Sequence, residues 1–187
     1  MPPSAPTRRR LLAIYRCLLK HLGPRHWWPG NTPLEVVVGA VLTQNTAWTN
    51  VEKAITNLGA AGALDFDTLR AMPAQDLASL IRPAGYFNLK AKRLKSLISW
   101  LDQRCAGDLA RLAQVADWRA LRRELLAVWG IGPETADSIL LYALGKPSFV
   151  VDAYTRRIFS RLGHVPDDIS YEELRAMFTE KLPPDLA

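Results

Sequence analysis

The chain has 187 residues, of which 49% are hydrophobic, and its formal net charge at pH 7 is +6. This length suits one large domain or two small interlocked ones, and the apolar content excludes an intrinsically disordered chain. The positive charge suits a polyanionic partner, although many basic proteins bind none. No apolar run is long enough to span a bilayer, and residues 1–10 lack the apolar core of a secretory signal. We therefore expect a cytoplasmic protein that does not enter membranes.

Apolar residues recur at helical spacing along nearly the whole chain, which predicts an all-α fold without strands. Thr32-Pro33-Leu34-Glu35 has the pattern of a capping box with proline at the first helical position. The helix that follows is apolar nearly all round, so we predict that it is the central buried helix. The predicted helices cover residues 11–22, 33–43, 47–58, 67–72, 74–81, 87–104, 118–128, 133–144, 153–162 and 171–182.

The cysteines are few and isolated. Cys17 and Cys105 show no paired spacing that would suit a metal site or a disulfide. We interpret both as buried, reduced thiols of a cytosolic protein and predict no metal site from them.

A Gly-Ile-Gly turn at residues 130–132 joins the helices predicted at 118–128 and 133–144. The N–H groups of Gly132 and Thr135 can hold a phosphate there without reading a base. Pro133 removes an N–H that would otherwise need a partner. The alternative is an ordinary hairpin of two helices with a glycine cap.

Asp152 stands directly before the helix predicted at 153–162. Aspartate at such a position is most often simply an N-cap, and the helix dipole favours its negative charge. The two roles are compatible, because a carboxylate fixed in a cleft can also stabilise a cationic sugar and orient a water molecule.

Three tryptophans, Trp27, Trp28 and Trp48, lie close to the predicted central helix in the sequence. Tryptophans usually fill a core, but Trp27 and Trp28 belong to a loop rich in proline, glycine and asparagine. Their flat faces could enclose an extruded base and would favour a base that carries positive charge.

Two basic clusters are either solvated helix faces or a surface that binds a duplex. One consists of Lys90, Lys92, Arg93 and Lys95, and the other of Arg156, Arg157 and Arg161.

These motifs together resemble those of the helix-hairpin-helix superfamily of DNA glycosylases, in particular the endonuclease III group. The resemblance covers most of the chain, from about Trp27 to Leu182. It is carried by Val41-Leu42-Thr43-Gln44-Asn45-Thr46, Gly85-Tyr86-Phe87-Asn88-Leu89-Lys90-Ala91, Gly130-Ile131-Gly132-Pro133-Glu134-Thr135-Ala136-Asp137 and Val150-Val151-Asp152, in this order.

The resemblance implies a fold of two helical lobes. One is a six-helix barrel at residues 32–145, which includes the helix-hairpin-helix motif at 118–144. The other is a discontinuous terminal domain formed by residues 1–31 and 146–187. The damaged base would enter between them. We expect a monomer that acts on double-stranded DNA in a bacterial or archaeal cytoplasm, associated with the nucleoid.

The resemblance also assigns residue roles. Asp152 matches the essential aspartate of the family. Gln44 and Tyr86 match positions that wedge into the duplex and fill the gap left by the flipped nucleotide, while Gly130, Gly132 and Thr135 would hold a phosphate. Glu134 stands where bifunctional members carry a lysine, and a carboxylate cannot form an imine with the sugar. The chain is therefore expected to cleave only the glycosidic bond.

A more specific likeness is to bacterial 3-methyladenine DNA glycosylases of the endonuclease-III-like class. It rests on Trp27-Trp28-Pro29, on Trp48 after Gln44-Asn45-Thr46, on Arg82-Pro83 and on the Gly-Ile-Gly turn with Glu134. It implies that Trp27, Trp28, Pro29 and Trp48 enclose an alkylated purine. The alternatives are a glycosylase for oxidised or mismatched pyrimidines and a non-catalytic DNA-binding module.

Many relatives bind a [4Fe-4S] cluster through four cysteines beyond the last helix. We expect no cofactor in this chain, and a cluster only if the native chain continues past Ala187.

Overall fold

A computed structural model of the chain describes residues 5–25 and 27–183. These residues form helices and no strand, which confirms the predicted all-α fold. The helices are α1 (Arg8–Leu22), α2 (Pro33–Leu42), α3 (Trp48–Ala60), α4 (Phe66–Ala71), α5 (Ala74–Leu80), α6 (Phe87–Cys105), α7 (Leu109–Ala113), α8 (Trp118–Ala127), α9 (Pro133–Ser138), α10 (Ala153–Arg161) and α11 (Tyr171–Lys181).

Helix α7 and two irregular segments were not anticipated. Helix α7 has five residues, too few for a periodic pattern, and the side chain of Asp108 caps it. A 3₁₀ turn, Arg82–Ala84, precedes Gly85. Helix α9 continues as a π-helical segment, Ile139–Ala143, where the sequence predicts an unbroken helix.

Contacts between residues divide the chain into two units. The middle unit is Trp28–Lys146, and the terminal unit is Met1–Trp27 together with Pro147–Ala187. The family resemblance places the corresponding boundaries at 32–145 and at 1–31 with 146–187.

The middle unit is built around α2. Every residue of this helix from Glu35 to Leu42 is buried, which confirms the predicted central buried helix. Thr32 caps it by accepting a hydrogen bond from the Glu35 N–H at 3.1 Å. The apolar faces of α3, α5 and α6 supply much of the surrounding core, including Leu58, Leu77 and Leu97. A helix that is apolar all round is stable only when neighbours cover every face.

The terminal unit has a smaller core. The rings of Phe149 and Phe178 stack with centroids 4.0 Å apart, and Phe159 meets Phe178 edge-on. Ser170 and Glu173 form a capping box at the start of α11. In α1 only Leu11 is buried, whereas 53% of Leu18 is exposed, so most of the apolar repeat of this helix is not core.

Cys105 is buried as predicted, but Cys17 is exposed, so the prediction that both thiols are buried was wrong for Cys17. No group of three or more metal-ligating side chains occurs within residues 5–25 and 27–183. A [4Fe-4S] cluster held by four thiolates does not fit a chain with 2 cysteines. No helix among the described residues is long and apolar enough to cross a membrane.

Candidate functional site

A pocket with a volume of about 360 Å³ opens in the middle unit beside α2 and α3. This volume lies at the small end of the range for ligand sites. Its lining includes three of the four residues predicted to enclose a base, namely Trp28, Pro29 and Trp48. Trp27 belongs to the terminal unit, is 56% exposed and is not part of the lining.

Trp28 is fixed by the surface of the central helix. Its indole lies against Gly39, where an added Cβ would be only 3.4 Å from the ring. The ring meets Trp48 edge-on with centroids 5.7 Å apart and stacks on Tyr142 at 5.2 Å. The backbone of Trp28 has a φ of 80°, a conformation that residues other than glycine rarely adopt. Contacts with Gly39, Trp48 and Tyr142 hold this strained residue in place.

Two carboxylates also line the pocket. Trp48 Nε1 donates to Glu52 Oε1 at 2.8 Å, one helical turn along α3. The Asn31 N–H donates to Glu35 Oε2 at 3.1 Å. From the sequence, Glu35 was predicted only as part of the capping box, and Glu52 had no predicted role. The signal for Glu52 was its position four residues after Trp48, which places both side chains on one helix face.

The hairpin between α8 and α9 needs glycine at its first position. Gly130 has a φ of 85°, and an added Cβ would lie 2.3 Å from Arg93 Cγ. Gly132 precedes α9 in an extended conformation, and no side chain caps that helix. An added Cβ on Gly132 would meet no atom within 4 Å. The start of α9 therefore lacks a side-chain cap and has space in front of it.

Gln44 attaches the hairpin to the end of α2. Its Nε2 donates to the carbonyl of Gly130 at 3.1 Å and to Thr135 Oγ1 at 3.0 Å, and its Oε1 accepts from Arg93. Thr135 is buried, so its hydroxyl serves this contact. Tyr86, by contrast, is 71% exposed and stands at a positive φ of 44° just before α6.

A bidentate ion pair joins the two helices of the hairpin. Arg122 donates from Nε and Nη2 to the two oxygens of Asp137, each at 2.8 Å. The Asp137 side chain is fully buried and Arg122 is 12% exposed. Removing one partner of such a pair leaves an uncompensated charge, so the pair fixes the hairpin geometry.

The first basic cluster is not a solvated surface as a whole. Lys90 is 1% exposed and donates to the carbonyls of Leu42 and Ala84 and to Thr46 Oγ1, at 2.6–2.8 Å. Burial, with a smaller contribution from the Arg93 charge, lowers the pKa of Lys90 to about 8. Lys95 donates to three carbonyls around the end of α4, and burial lowers its pKa as well.

Of the four residues, only Lys92 is well exposed. Arg93 is partly buried and donates a hydrogen bond to Gln44 Oε1. The interpretation of these four residues as one duplex-binding face, or as one solvated face, was therefore wrong. The ammonium groups of Lys90 and Lys95 bind carbonyl groups near helix ends and turns, where carbonyls lack a helical partner. In the terminal unit, Arg156, Arg157 and Arg161 are all exposed on α10.

Asp152 caps α10. Its Oδ1 accepts from the N–H and the hydroxyl of Thr155, both at 2.7 Å. The side chain is half-buried, and among the described residues no hydrogen bond is given to Oδ2. Asp65 makes the same pair of bonds to Thr68 at the start of α4, where it is exposed. The capping role of Asp152 is thus confirmed, and Asp65 is its structural counterpart.

Glu134 is exposed in the first turn of α9, at the position where the resemblance implies a lysine in bifunctional relatives. Lys146, twelve residues after Glu134, donates from Nζ to the carbonyls of Ala113 and Val115 at 2.6 and 2.7 Å. Its ammonium therefore completes the turn that follows α7.

Comparison with known proteins gives a family match over most of the chain. The model of the HhH-GPD superfamily of base excision DNA repair proteins matches residues 38–184. A protein of Methanocaldococcus jannaschii named "putative DNA repair glycosylase" is 49% identical over 92% of this chain and 79% of its own length. Endonuclease III of Thermotoga maritima is 30% identical over 82% of this chain and 67% of its own length.

Solved structures agree with these matches. The 3-methyladenine DNA glycosylase MagIII of H. pylori, bound to 1,N6-ethenoadenine, is 31% identical with a TM-score of 0.78. The likeness covers 96% of this chain and 83% of that one. An endonuclease III in a trapped covalent complex with DNA has a TM-score of 0.81 at 24% identity, which shows the shared fold.

Proposed function

We propose that this chain, which belongs to the HhH-GPD superfamily of base excision DNA repair proteins, hydrolyses the glycosidic bond of alkylated purines such as 3-methyladenine without cleaving the strand. The family assignment makes it a base excision repair DNA glycosylase. The substrate, the monofunctional reaction and the residue roles are our proposal, and it uses double-stranded DNA with a damaged base as the partner.

The pocket beside Trp28 and Trp48 is the observation that carries the proposal. Indole faces bind a flat base by stacking, with roughly 1–3 kcal/mol for each stacked base. A base inside the duplex cannot reach such a pocket, so it must first be extruded. The likeness to a 3-methyladenine DNA glycosylase supports the choice of an alkylated purine.

The chemistry of the leaving group suits a site with few catalytic side chains. A purine alkylated at N3 carries positive charge, so the bond from its ring nitrogen to C1′ of the sugar breaks without a general acid. The electron pair of this bond goes to the base, which leaves neutral. The sugar becomes an oxocarbenium-like cation, and the oxygen of a water molecule then bonds to C1′.

Asp152 is the residue to which we assign the stabilisation of this cation. Its Oδ1 is held by Thr155, while the structure gives Oδ2 no hydrogen bond among the described residues. A carboxylate oriented before the reaction stabilises developing positive charge without reorganising. In the proposed mechanism the free oxygen also orients the attacking water and accepts its proton.

The absence of strand cleavage follows from Glu134. Strand cleavage by relatives of this kind needs an amine that attacks the sugar, and a carboxylate cannot form an imine. Lys146 does not replace the missing amine, because its ammonium group donates hydrogen bonds to the carbonyls of Ala113 and Val115.

We assign the contact with a DNA phosphate to the N–H groups of Gly132 and Thr135 at the start of α9. Gly130 provides the backbone conformation that the preceding turn requires. Tyr86, well exposed beside α6, is the side chain proposed to fill the gap in the stack. Gln44 would have to give up its bonds to Gly130 and Thr135 to join it. We therefore assign Gln44 to holding the hairpin and leave the wedge to Tyr86.

The test is an assay on duplexes that contain one 3-methyladenine, with and without alkali after the reaction. We expect release of the free base, strand breaks only after alkali, and no adduct trapped by borohydride. Breaks without alkali together with a trapped adduct would contradict the monofunctional reaction.

A panel of duplexes with oxidised or mismatched pyrimidines tests the substrate class, which the similarity to an endonuclease III keeps as the second candidate. Faster release of those bases than of 3-methyladenine would assign the chain to that class. No release from any duplex, with equal affinity for plain duplex and for an abasic-site analogue, would instead indicate a DNA-binding module without catalysis.

A further inference from the structure

We propose that Glu35 and Glu52 make the pocket selective for a positively charged base over a neutral one of the same shape. The inference rests on the proposed function, because it treats this pocket as the site that receives the base. It adds two specificity-determining residues to the aromatic side chains.

The sign of the charge in the pocket is opposite to that of the protein. Among the described residues that line the pocket, Glu35 and Glu52 are the only ones with an ionisable acid or base. No lysine, arginine or histidine belongs to the lining. The chain as a whole has a formal net charge of +6. A protein surface meant for the DNA backbone is basic, so this local inversion indicates a different kind of ligand.

Glu35 is the more buried of the two carboxylates. It is 9% exposed, and the Asn31 N–H occupies its Oε2. The structure gives its Oε1 no hydrogen bond among the described residues, although this carboxylate lines an open pocket. A carboxylate oxygen only accepts hydrogen bonds, so a ligand that carries an N–H group or a positive charge suits it.

Glu52 acts through the indole of Trp48 as well as directly. Its Oε1 accepts the indole N–H at 2.8 Å, which fixes the ring and polarises it toward greater negative charge on its faces. The attraction between a cation and an aromatic face grows with that charge. The negative charge of the Glu52 carboxylate also contributes to the potential in the pocket that it lines.

Together these features discriminate by charge. An undamaged or etheno-modified adenine is neutral and gains only the stacking contribution. A purine alkylated on a ring nitrogen is cationic and gains the interaction with both carboxylates in addition. Selection by charge separates the damaged base from the large excess of normal bases, which differ from it by a single methyl group.

The experiment compares the binding of two free nucleosides, measured by tryptophan fluorescence. They are 1-methyladenosine, a cation at neutral pH, and adenosine, which is neutral. The proteins are the unmodified chain, Glu52→Gln, Glu35→Gln and, as a matched control, Glu180→Gln, which makes the same change at an exposed position of α11. Glutamine keeps an oxygen that can accept the bonds from Trp48 and Asn31.

We expect the unmodified protein and Glu180→Gln to bind the cation on the order of tenfold more tightly than the neutral nucleoside. Each pocket variant should lower this ratio by about fivefold, with the affinity for adenosine nearly unchanged. Glu52 is exposed, so Glu52→Gln should fold even if Glu35→Gln does not.

An equal ratio in all four proteins would overturn the inference, as would a ratio near one in the unmodified protein. The proposed function can fail independently of this inference. If the charge preference depends on Glu52 but no alkylated base is released from duplex DNA, the pocket binds a cationic base and the proposed catalytic activity is wrong. If 3-methyladenine is released but the protein shows no charge preference, the proposed activity stands and the roles assigned to Glu35 and Glu52 are wrong.

Discussion

The residues that precede helices α9 and α10 have nearly the same backbone conformation, but only the residue before α10 has a side chain that caps its helix. Gly132 precedes α9 at φ −92° and ψ 176°, and Asp152 precedes α10 at φ −96° and ψ 177°. Gly132 offers no side chain, so the first N–H groups of α9 lack a side-chain cap. Asp152 folds its own carboxylate onto the first turn of α10.

The difference shows how one local geometry serves two roles. Every helix start presents N–H groups and a partial positive charge. A start without a side-chain cap can accept an anion from outside the chain, whereas a start with aspartate already holds its anion and presents the second oxygen to another group. The two helix N-termini have nearly the same backbone conformation. The side chain at the N-cap position therefore decides whether the N-terminus can bind an anion or already carries one.

The largest expected effect tests the anion at α10. Asp152→Asn should slow base release by at least about 10²-fold, because an amide cannot stabilise the sugar cation. Asparagine caps a helix as well as aspartate does, so the free energy of unfolding should change by less than about 0.5 kcal/mol. Single-turnover release from an alkylated duplex, together with thermal unfolding, measures both.

Asp65→Asn is the control for this variant, because Asp65 makes the same bonds to Thr68 at the start of α4. It should leave base release unchanged. If Asp152→Asn retained full activity, or if both variants lost activity alike, Asp152 would be only a cap.

A smaller effect is expected when the α9 start is made to resemble that of α10. Gly132→Asp should stabilise the protein slightly by capping α9, because the added side chain meets open space and φ is negative. It should weaken binding to duplex DNA about tenfold, since its charge competes with the phosphate for the same N–H groups. Binding at two salt concentrations measures this loss.

Gly132→Asn separates the cap from the charge. It adds a neutral cap of similar size, so its affinity for DNA should lie between those of the unmodified protein and Gly132→Asp. Unchanged affinity in Gly132→Asp would show that the start of α9 holds no phosphate.

The smallest expected effect concerns how firmly Asp152 is oriented. Thr155→Val removes the hydroxyl that donates to Oδ1 but keeps the N–H bond. Release should slow by about three- to tenfold through looser orientation of the carboxylate. Thr68→Val makes the equivalent change beside Asp65 and should have no effect on release. Equal rates for both variants would mean that the N–H bond alone orients Asp152.

Much of the candidate site was predictable because its elements depend on local sequence. The glycines of the hairpin and the caps at Asp152 and Thr32 follow from backbone preferences that a few adjacent residues determine. The capping box predicted at Thr32–Glu35 forms only by half, because the Glu35 carboxylate accepts from the Asn31 N–H and not from that of Thr32. The aromatic lining was predicted for Trp28 and Trp48, but the structure does not place Trp27 with them.

The incorrect interpretations share a cause. Lys90 and Lys95 were read as part of a charged surface, and Cys17 as buried, from residue type and helical position alone. Which oxygen atoms lie within reach of an ammonium depends on residues 48, 44 or 26 positions away in the chain, as for the contacts of Lys90 with the Leu42 carbonyl and the Thr46 hydroxyl and of Lys95 with the Leu69 carbonyl.

The sequence by itself determined the all-α fold, the central buried helix and the family, because each depends on periodicity or on motifs of adjacent residues. Only the tertiary structure decided that Gln44 holds the hairpin, that Lys90 is buried and that Glu35 and Glu52 line one pocket with Trp28 and Trp48. The contacts of Gln44 and Lys90 join residues far apart in the chain. Burial then decides the chemistry of a charged group: the same ammonium or carboxylate is a solvated charge on a surface and a specific donor or acceptor inside the protein.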